Sequence, residues 1–240
     1  KGSIWSLLYY KKDYYMKLIV IDGGDGCGKA TKANKLYESL KKENYNVHLI
    51  SFPDYESEYS AFVKSYLDGT FGGNGAVNPK IASLFFAMDR YAAFQTKYKE
   101  LLKQDDAILI CDRYTTSNEL YQVVRYEKAT AQDQFLQWLE NFEYRLLQLP
   151  KPDLLIMLRL PIRIRLNLLA ERKGKTGGNT GDIHENDIEY LKKVDHAYQK
   201  IANRYSTIMV NCADHKVIRD IDVIAKEVLK KVKECGVLNE

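Results

Sequence analysis

The chain has 240 residues, enough for one large α/β domain and enough to bury a substantial core. Lysine and arginine total 36 against 32 acidic residues; the net charge of +4 suits small polyanionic ligands and gives no reason to expect a nucleic-acid partner. No apolar run approaches the roughly 20 residues that cross a bilayer, and the four cysteines show no metal-type spacing, so a cytoplasmic location with reduced thiols is expected.

Residues 1–15 hold a short apolar run, Ile4 to Tyr10, followed by Lys11 and Lys12. Met16 stands directly before the first core run. Residues 1–15 are therefore expected to be a leader or extension outside the core, and 16–240 a single domain.

Lys17–Asp22 (KLIVID) is nearly continuous in apolar residues, as expected of a parallel strand covered on both faces. Gly23-Gly24-Asp25-Gly26-Cys27-Gly28-Lys29-Ala30-Thr31 follows. It matches G-x-x-x-x-G-K between a strand and a helix, the context in which that motif cradles phosphates. Glycines let backbone N–H groups converge on an anion, and the helix beginning near Lys29 turns its positive end towards it. Gly24, Asp25, Gly26, Cys27, Gly28, Lys29, Ala30 and Thr31 are thus the candidate ATP-binding residues, with Lys29 supplying a full charge. The position after the lysine is Ala30, which offers no oxygen to magnesium. Magnesium must then be held by substrate phosphates, water and carboxylates from elsewhere.

A helix is expected over Ala33–Lys42 and a second strand over Val47–Phe52, followed by Pro53, Asp54 and Tyr55. The helix expected over Ile81–Leu102 carries Phe86 and Arg90 one turn apart, so both can project into one pocket. A third strand, Ala107–Cys111, ends in Asp112-Arg113-Tyr114-Thr115-Thr116-Ser117-Asn118, then Tyr121-Gln122. At a carboxyl strand end, Asp112 can bind hydrated metal or a donor, and Arg113 can hold a phosphate in bidentate fashion.

Helical periodicity continues over Gln132–Leu147, and Pro150 and Pro152 lead into a fourth strand, Leu154–Leu160. A short helix then gives way to a basic, glycine-rich stretch, Arg172 to Asp182, placing a lid at about 171–185. Helix Ile188–Tyr205, strand Thr207–Asn211 and helix Ile218–Val232 complete the chain. Five buried strands alternating with helices imply a three-layer α/β fold, a five-stranded parallel sheet covered by helices on both faces. Its ligands bind beyond the carboxyl strand ends.

These motifs together resemble the thymidylate kinases, P-loop nucleoside monophosphate kinases. The resemblance runs from about Met16 to the last helix. It rests on D-R-Y-x-x-S-N-x-x-Y at Asp112 to Tyr121, Phe52-Pro53, Phe86-x-x-x-Arg90, and Pro152-Asp153 before the fourth strand. It implies transfer of the ATP γ-phosphoryl group to dTMP, with magnesium, in a homodimer packed through helices. It implies that Phe86 stacks on thymine, that Arg90 and Arg113 clamp the acceptor phosphate, and that Asn118, with Ser117 near it, reads the base edge. Tyr121, with Gln122 beside it, lies against the sugar and disfavours ribose. Asp25 holds the 3′-hydroxyl or organises the acceptor end, and Phe52 and Tyr55 complete the pocket. The phosphate loop has no arginine, so the lid is the source of the catalytic cation, with Arg172, Lys173 and Lys175 as candidates. Asp112 is expected in the second shell of magnesium, and Glu185 near the metal or sugar. Two alternatives remain at this stage: a P-loop kinase for another nucleotide or deoxynucleoside, and a non-catalytic nucleotide-binding protein, suggested by Ala30.

Overall fold

A computed structural model describes residues 14–171, the backbone of 172–175, and residues 181–214 and 217–238. Five strands, β1 (Lys17–Gly23), β2 (Asn46–Ser51), β3 (Ala107–Asp112), β4 (Leu154–Arg159) and β5 (Thr207–Asn211), form one parallel sheet in the order β2-β3-β1-β4-β5. All five coincide with the apolar runs to within a residue at each end. Their near-continuous apolarity has a direct cause. Leu18 and Val20 of β1 pack into one core and Ile19 and Ile21 into the other, because successive strand side chains point to opposite faces. Each such side chain withdrawn from water stabilises the fold by roughly 1.5–3 kcal/mol, so neither face tolerates polar alternation.

Around the sheet run α1 (Lys29–Lys42), α2 (Ala61–Leu67), α3 (Pro79–Thr96), α4 (Thr115–Val123), α5 (Ala129–Glu140), α6 (Ile162–Lys175), α7 (Ile188–Ala202) and α8 (Ile221–Glu234). Helices α1 and α8 cover one face through Leu36, Leu40, Ile224 and Val228. Helices α3, α4, α5 and α7 cover the other through Phe94, Leu120, Phe135 and Val194.

Several boundaries differ from expectation for local reasons. Helix α3 begins at Pro79, two residues early, because the Asn78 side chain caps Lys80 N at 2.9 Å and proline suits the first turn. Helix α8 begins at Ile221, where Asp220 caps it, while Val217–Ile218 pairs with Ala213–Asp214 as a short antiparallel hairpin. The stretch expected as one helix to Leu147 divides into α5 and a π-helical turn, Asn141–Leu146. Two residues ahead of Met16 are described, and both are tied to the domain. Tyr14 is buried and its hydroxyl accepts from Lys151 N at 2.6 Å, and Tyr15 N donates to Leu102 O at 2.7 Å. Residues 1–13 lie outside the described residues. Among the described residues, no helix is long and apolar enough to cross a membrane.

Candidate active site

The phosphate loop connects the end of β1 to α1, and close packing dictates its glycines. A Cβ on Gly24 would fall 1.7 Å from Arg165 Nη1, and one on Gly23 would fall 2.6 Å from the Leu158 carbonyl oxygen. Arg165 is wholly buried; it donates to Leu160 O at 3.1 Å and to Asp195 Oδ1 at 2.7 Å, its guanidinium lying over the Tyr198 ring. It thereby ties the loop's flank to α6 and α7, a support the sequence reading missed. Lys29 Nζ donates to the carbonyls of Gly23 and Gly24 at 3.0 and 3.1 Å. Ala30 and Thr31 are exposed on α1.

Beside the loop, a cavity opens beyond β1 and β3. Ten expected acceptor-site residues line it: Asp25, Phe52, Tyr55, Phe86, Arg90, Arg113, Ser117, Asn118, Tyr121 and Gln122. One hydrogen-bonded chain joins it to the loop. Asp25 accepts from Arg113 Nη2, and from the Tyr121 hydroxyl at 2.5 Å, while Lys29 Nζ lies 3.8 Å away. Burial alone would raise the Asp25 carboxyl, but Arg113, Lys29 and the Tyr121 hydroxyl hold it well below the usual carboxylate range. Arg113 stands at φ 67°, its N–H donating to Ile21 O at 3.0 Å. This left-handed turn at the end of β3 brings its guanidinium to Asp25 and to Ser117 Oγ, 3.4 Å away.

The Ser117 hydroxyl is committed to Asp22, at 2.8 and 2.9 Å, rather than to a base. Asn118 is placed differently. Its Nδ2 donates to Ser83 O at 3.1 Å and to Glu143 Oε1 at 3.0 Å, and its buried Oδ1 has no partner. Both neighbours are acceptors, so the amide has one satisfactory orientation, and an acceptor is left for a ligand's donor. Arg90, expected at the acceptor phosphate, donates to both oxygens of the same Glu143, at 2.9 and 2.7 Å. Its charge is already balanced, and it shares its partner with Asn118. Phe86 packs edge-on to Tyr66, with centroids 5.9 Å apart. Phe52 stacks on Phe94 and also borders the cavity. Both amide atoms of buried Gln122 are without a hydrogen-bond partner.

Other wall residues were missed in the sequence. His184 lies parallel to the Tyr121 ring, centroids 5.5 Å apart, with Nε2 3.0 Å from the Tyr66 hydroxyl. Burial pushes its pKa down to about 4, so it is neutral. Asp89 accepts from Asp54 N at 3.0 Å, and its buried Oδ1 has no partner. A histidine behind a glycine-rich stretch gives no sequence signal; Asp89, beside Arg90 on a helix aimed at the site, gives a weak one.

Among the described residues, Asp112 offers a fitting donor for a metal. Asp112 accepts from Ser51 Oγ at 3.3 Å, and its other oxygen is buried without a partner; burial raises its pKa against the pull of Arg113 and Lys29. An orphaned carboxylate oxygen near a phosphate loop suits a hard cation or its water. Among the described residues, no group of three or more His, Cys, Asp or Glu could enclose a metal by itself. Glu185 is half-buried, its N–H donating to Asp182 Oδ1 at 2.8 Å, and it does not line the cavity. The side chains of Arg172, Lys173 and Lys175 lie outside the described residues. Their backbone is the last turn of α6, so the stretch expected to be lid from its first residue begins as helix.

Comparison with known proteins agrees with this geometry. The sequence model of the thymidylate kinase family matches residues 21–222. Thymidylate kinase of Mycobacterium tuberculosis is 29% identical over 186 residues, 77% of this chain and 85% of the relative. Probable thymidylate kinase 1 of Saccharolobus solfataricus is 31% identical over 201 residues, 83% of this chain and 90% of the relative. The solved structure of thymidylate kinase from Candida albicans covers 94% of both chains with a TM-score of 0.65 at 21% identity, a likeness of fold. The family match spans both the phosphate loop and the cavity residues; this chain belongs to the thymidylate kinase family, ATP-dependent transferases that phosphorylate dTMP.

Proposed function

We propose that this kinase moves the γ-phosphoryl group of ATP to dTMP across the junction between loop and cavity, yielding dTDP and ADP. The observation that carries the site assignment is the chain Lys29–Asp25–Arg113, which links the phosphate loop to a cavity whose far wall holds a fixed acceptor, Asn118 Oδ1. Lys29 and the loop amides hold the donor phosphates, exchanging the Gly23 and Gly24 carbonyls for phosphate oxygens. Arg113 holds the acceptor phosphate beside them. Arg90, neutralised by Glu143, belongs with Asn118 at the base, and Phe86 packs on the ring. Tyr121, fixed by Asp25 and backed by His184, crowds the sugar. Magnesium, when bound, screens charge on the donor oxygens, and Asp112 is the residue whose free oxygen suits it.

Phosphoryl transfer asks for in-line positioning and charge cancellation more than covalent work. The acceptor phosphate is an adequate nucleophile, so no strong general base is needed. Coupled ADP release with ATP, magnesium and each nucleoside monophosphate tests the reading. Turnover with dTMP and little with ribonucleotides is expected; preference for another acceptor overturns the base and sugar assignments.

The homodimer has a candidate face. Phe62 of α2 is 62% exposed and stacks on Phe85 of α3, while Phe71, Ile81 and Met88 are exposed beside it. A contiguous apolar face of this kind marks an association surface, and a two-fold axis would pair it with itself. Phe62→Glu is expected to yield a monomer in light scattering; a dimer unchanged in mass rejects that face. Free thiols throughout fit a cytoplasmic enzyme.

A further inference from the structure

Glu143 does not line the cavity, yet it holds two side chains that do. It is wholly buried on the π-helical turn Asn141–Leu146, a departure from α-helical geometry often found near functional sites. Oε2 accepts from Arg90 Nε, and Oε1 accepts from both Arg90 Nη2 and Asn118 Nδ2. We propose that Glu143 is a positioning residue that sets base selectivity by fixing which end of the Asn118 amide is offered to the ligand. The proposal rests on the cavity being the dTMP site.

The reasoning is hydrogen-bond logic. A carboxylate paired with arginine has no proton to donate, so it accepts from the NH₂ end of an amide and repels the carbonyl end. The Ser83 carbonyl imposes the same choice. With both acceptors in place, turning Asn118 over would set its Oδ1 against two oxygens while leaving Nδ2 unsatisfied. Oδ1 therefore remains available, and it accepts a hydrogen bond from the N3–H of thymine or uracil. Cytosine has a lone pair at N3, which meets Oδ1 with repulsion. A glutamine at 143 carries its own donor, so the turned Asn118 amide finds a partner there and is opposed only by the Ser83 carbonyl. The turned amide presents Nδ2, which suits cytosine. Arg90, held by the same carboxylate, loses its fixed position in the same change.

The test compares dTMP, dUMP and dCMP as acceptors for wild type, Glu143→Gln and Glu143→Asp, with thermal melts to establish folding. The last two nucleotides differ only at the edge in question. Wild type is expected to favour dUMP over dCMP by about 10²-fold or more in kcat/KM, as sites built to hydrogen-bond an edge do. In Glu143→Gln that ratio is expected to fall at least about tenfold, chiefly through a gain in relative use of dCMP. Glu143→Asp keeps the charge Arg90 requires, guarding against a variant that fails to fold. One methylene shorter, it cannot span both partners, and the same loss of ratio is expected.

A residue with a merely structural role would lower dUMP and dCMP turnover together. A ratio unchanged within about twofold therefore overturns the proposal, and so does a wild type that uses dCMP as readily as dUMP. Wild type without turnover on dTMP is a different failure, since it removes the reading of the cavity itself.

Discussion

The two sides of the active site are built on different principles. On the acceptor side each arginine already has its counter-charge, Arg90 in Glu143 and Arg113 in Asp25, and the cavity between them is defined before any ligand arrives. On the donor side Lys29 rests on two backbone carbonyls, and Ala30 and Thr31 face solvent. On the proposed reading, the acceptor side recognises shape and hydrogen-bond direction with its charge largely cancelled. The donor side, on the same reading, holds a cation that carbonyls bind weakly enough to release when phosphate arrives. Its proposed task is charge, and the acceptor side's proposed task is choice.

The largest expected effect tests the donor half of that contrast. Lys29→Met should lower kcat by roughly 10²–10³-fold, the usual cost of removing one preorganised donor from a phosphate or oxyanion site. It leaves no partnerless charge behind: Asp25 keeps Arg113. Stability should therefore change by only about 1 kcal/mol in denaturant unfolding, the worth of ordinary hydrogen bonds. A large loss of stability would mean that Lys29 is a structural cation.

Arg113→Met should behave differently. Its removal takes the main counter-charge from a buried carboxylate, which typically costs about 3–5 kcal/mol. Arg113 is 26% exposed and Lys29 remains near, so a loss of about 2–3 kcal/mol is expected. Asp25→Asn added to Arg113→Met should recover most of that stability while acceptor kcat/KM stays about 10²-fold low. If the second change recovers nothing, the Asp25–Arg113 pair is not what organises this wall.

The same contrast governs how much could be read from sequence. The donor side is local: strand, glycines, lysine and helix lie within Lys17–Lys42, and their spacing alone names the chemistry. The strands were legible because both faces of the sheet are covered, which leaves KLIVID and AILIC without polar interruption. The acceptor wall is assembled from distant segments. Glu143 sits 53 residues from Arg90 in an ordinary-looking charged helix end, and nothing in its neighbours announces a π-helical turn. Arg165 resembles any surface arginine of a basic helix, although it is wholly buried. Helix α4 was missed because its motif residues, Ser117 to Tyr121, drew attention to chemistry and away from periodicity. Helix α2, seven residues long, is too short to show a period.

A pH experiment sharpens the acceptor side further. His184 has a folded pKa lowered from the ordinary 6.5 to about 4, so the unfolded chain binds the proton more readily. Stability from this group is complete above pH 6.5 and is lost as pH falls towards 4. Between pH 8 and 5 the loss amounts to about 2 kcal/mol. Glu119 acts in the opposite sense: burial raises its carboxyl to about 7, so its contribution falls as pH rises from about 4.5 to 7. The difference in unfolding free energy between wild type and His184→Phe cancels the Glu119 contribution. That difference should shift by about 2 kcal/mol across this window; a flat difference would mean that His184 is not buried neutral against Tyr121.

The smallest expected effect is the most exacting for the donor side. Thr31 carries the hydroxyl that follows Ala30 in the first turn of α1, and one position along a helix turns a side chain by about 100°. Ala30, directly after Lys29, has no oxygen to offer. If the metal is held by phosphates and Asp112, Thr31→Ala should leave kcat and the magnesium requirement within about twofold, as for an ordinary exposed substitution. Asp112→Asn should raise the magnesium concentration needed for half-maximal turnover. A tenfold loss in Thr31→Ala would make Thr31 a metal ligand reached by rotation of the first turn of α1. The donor side would then reorganise around its ligand, and preorganisation would belong to the acceptor side alone.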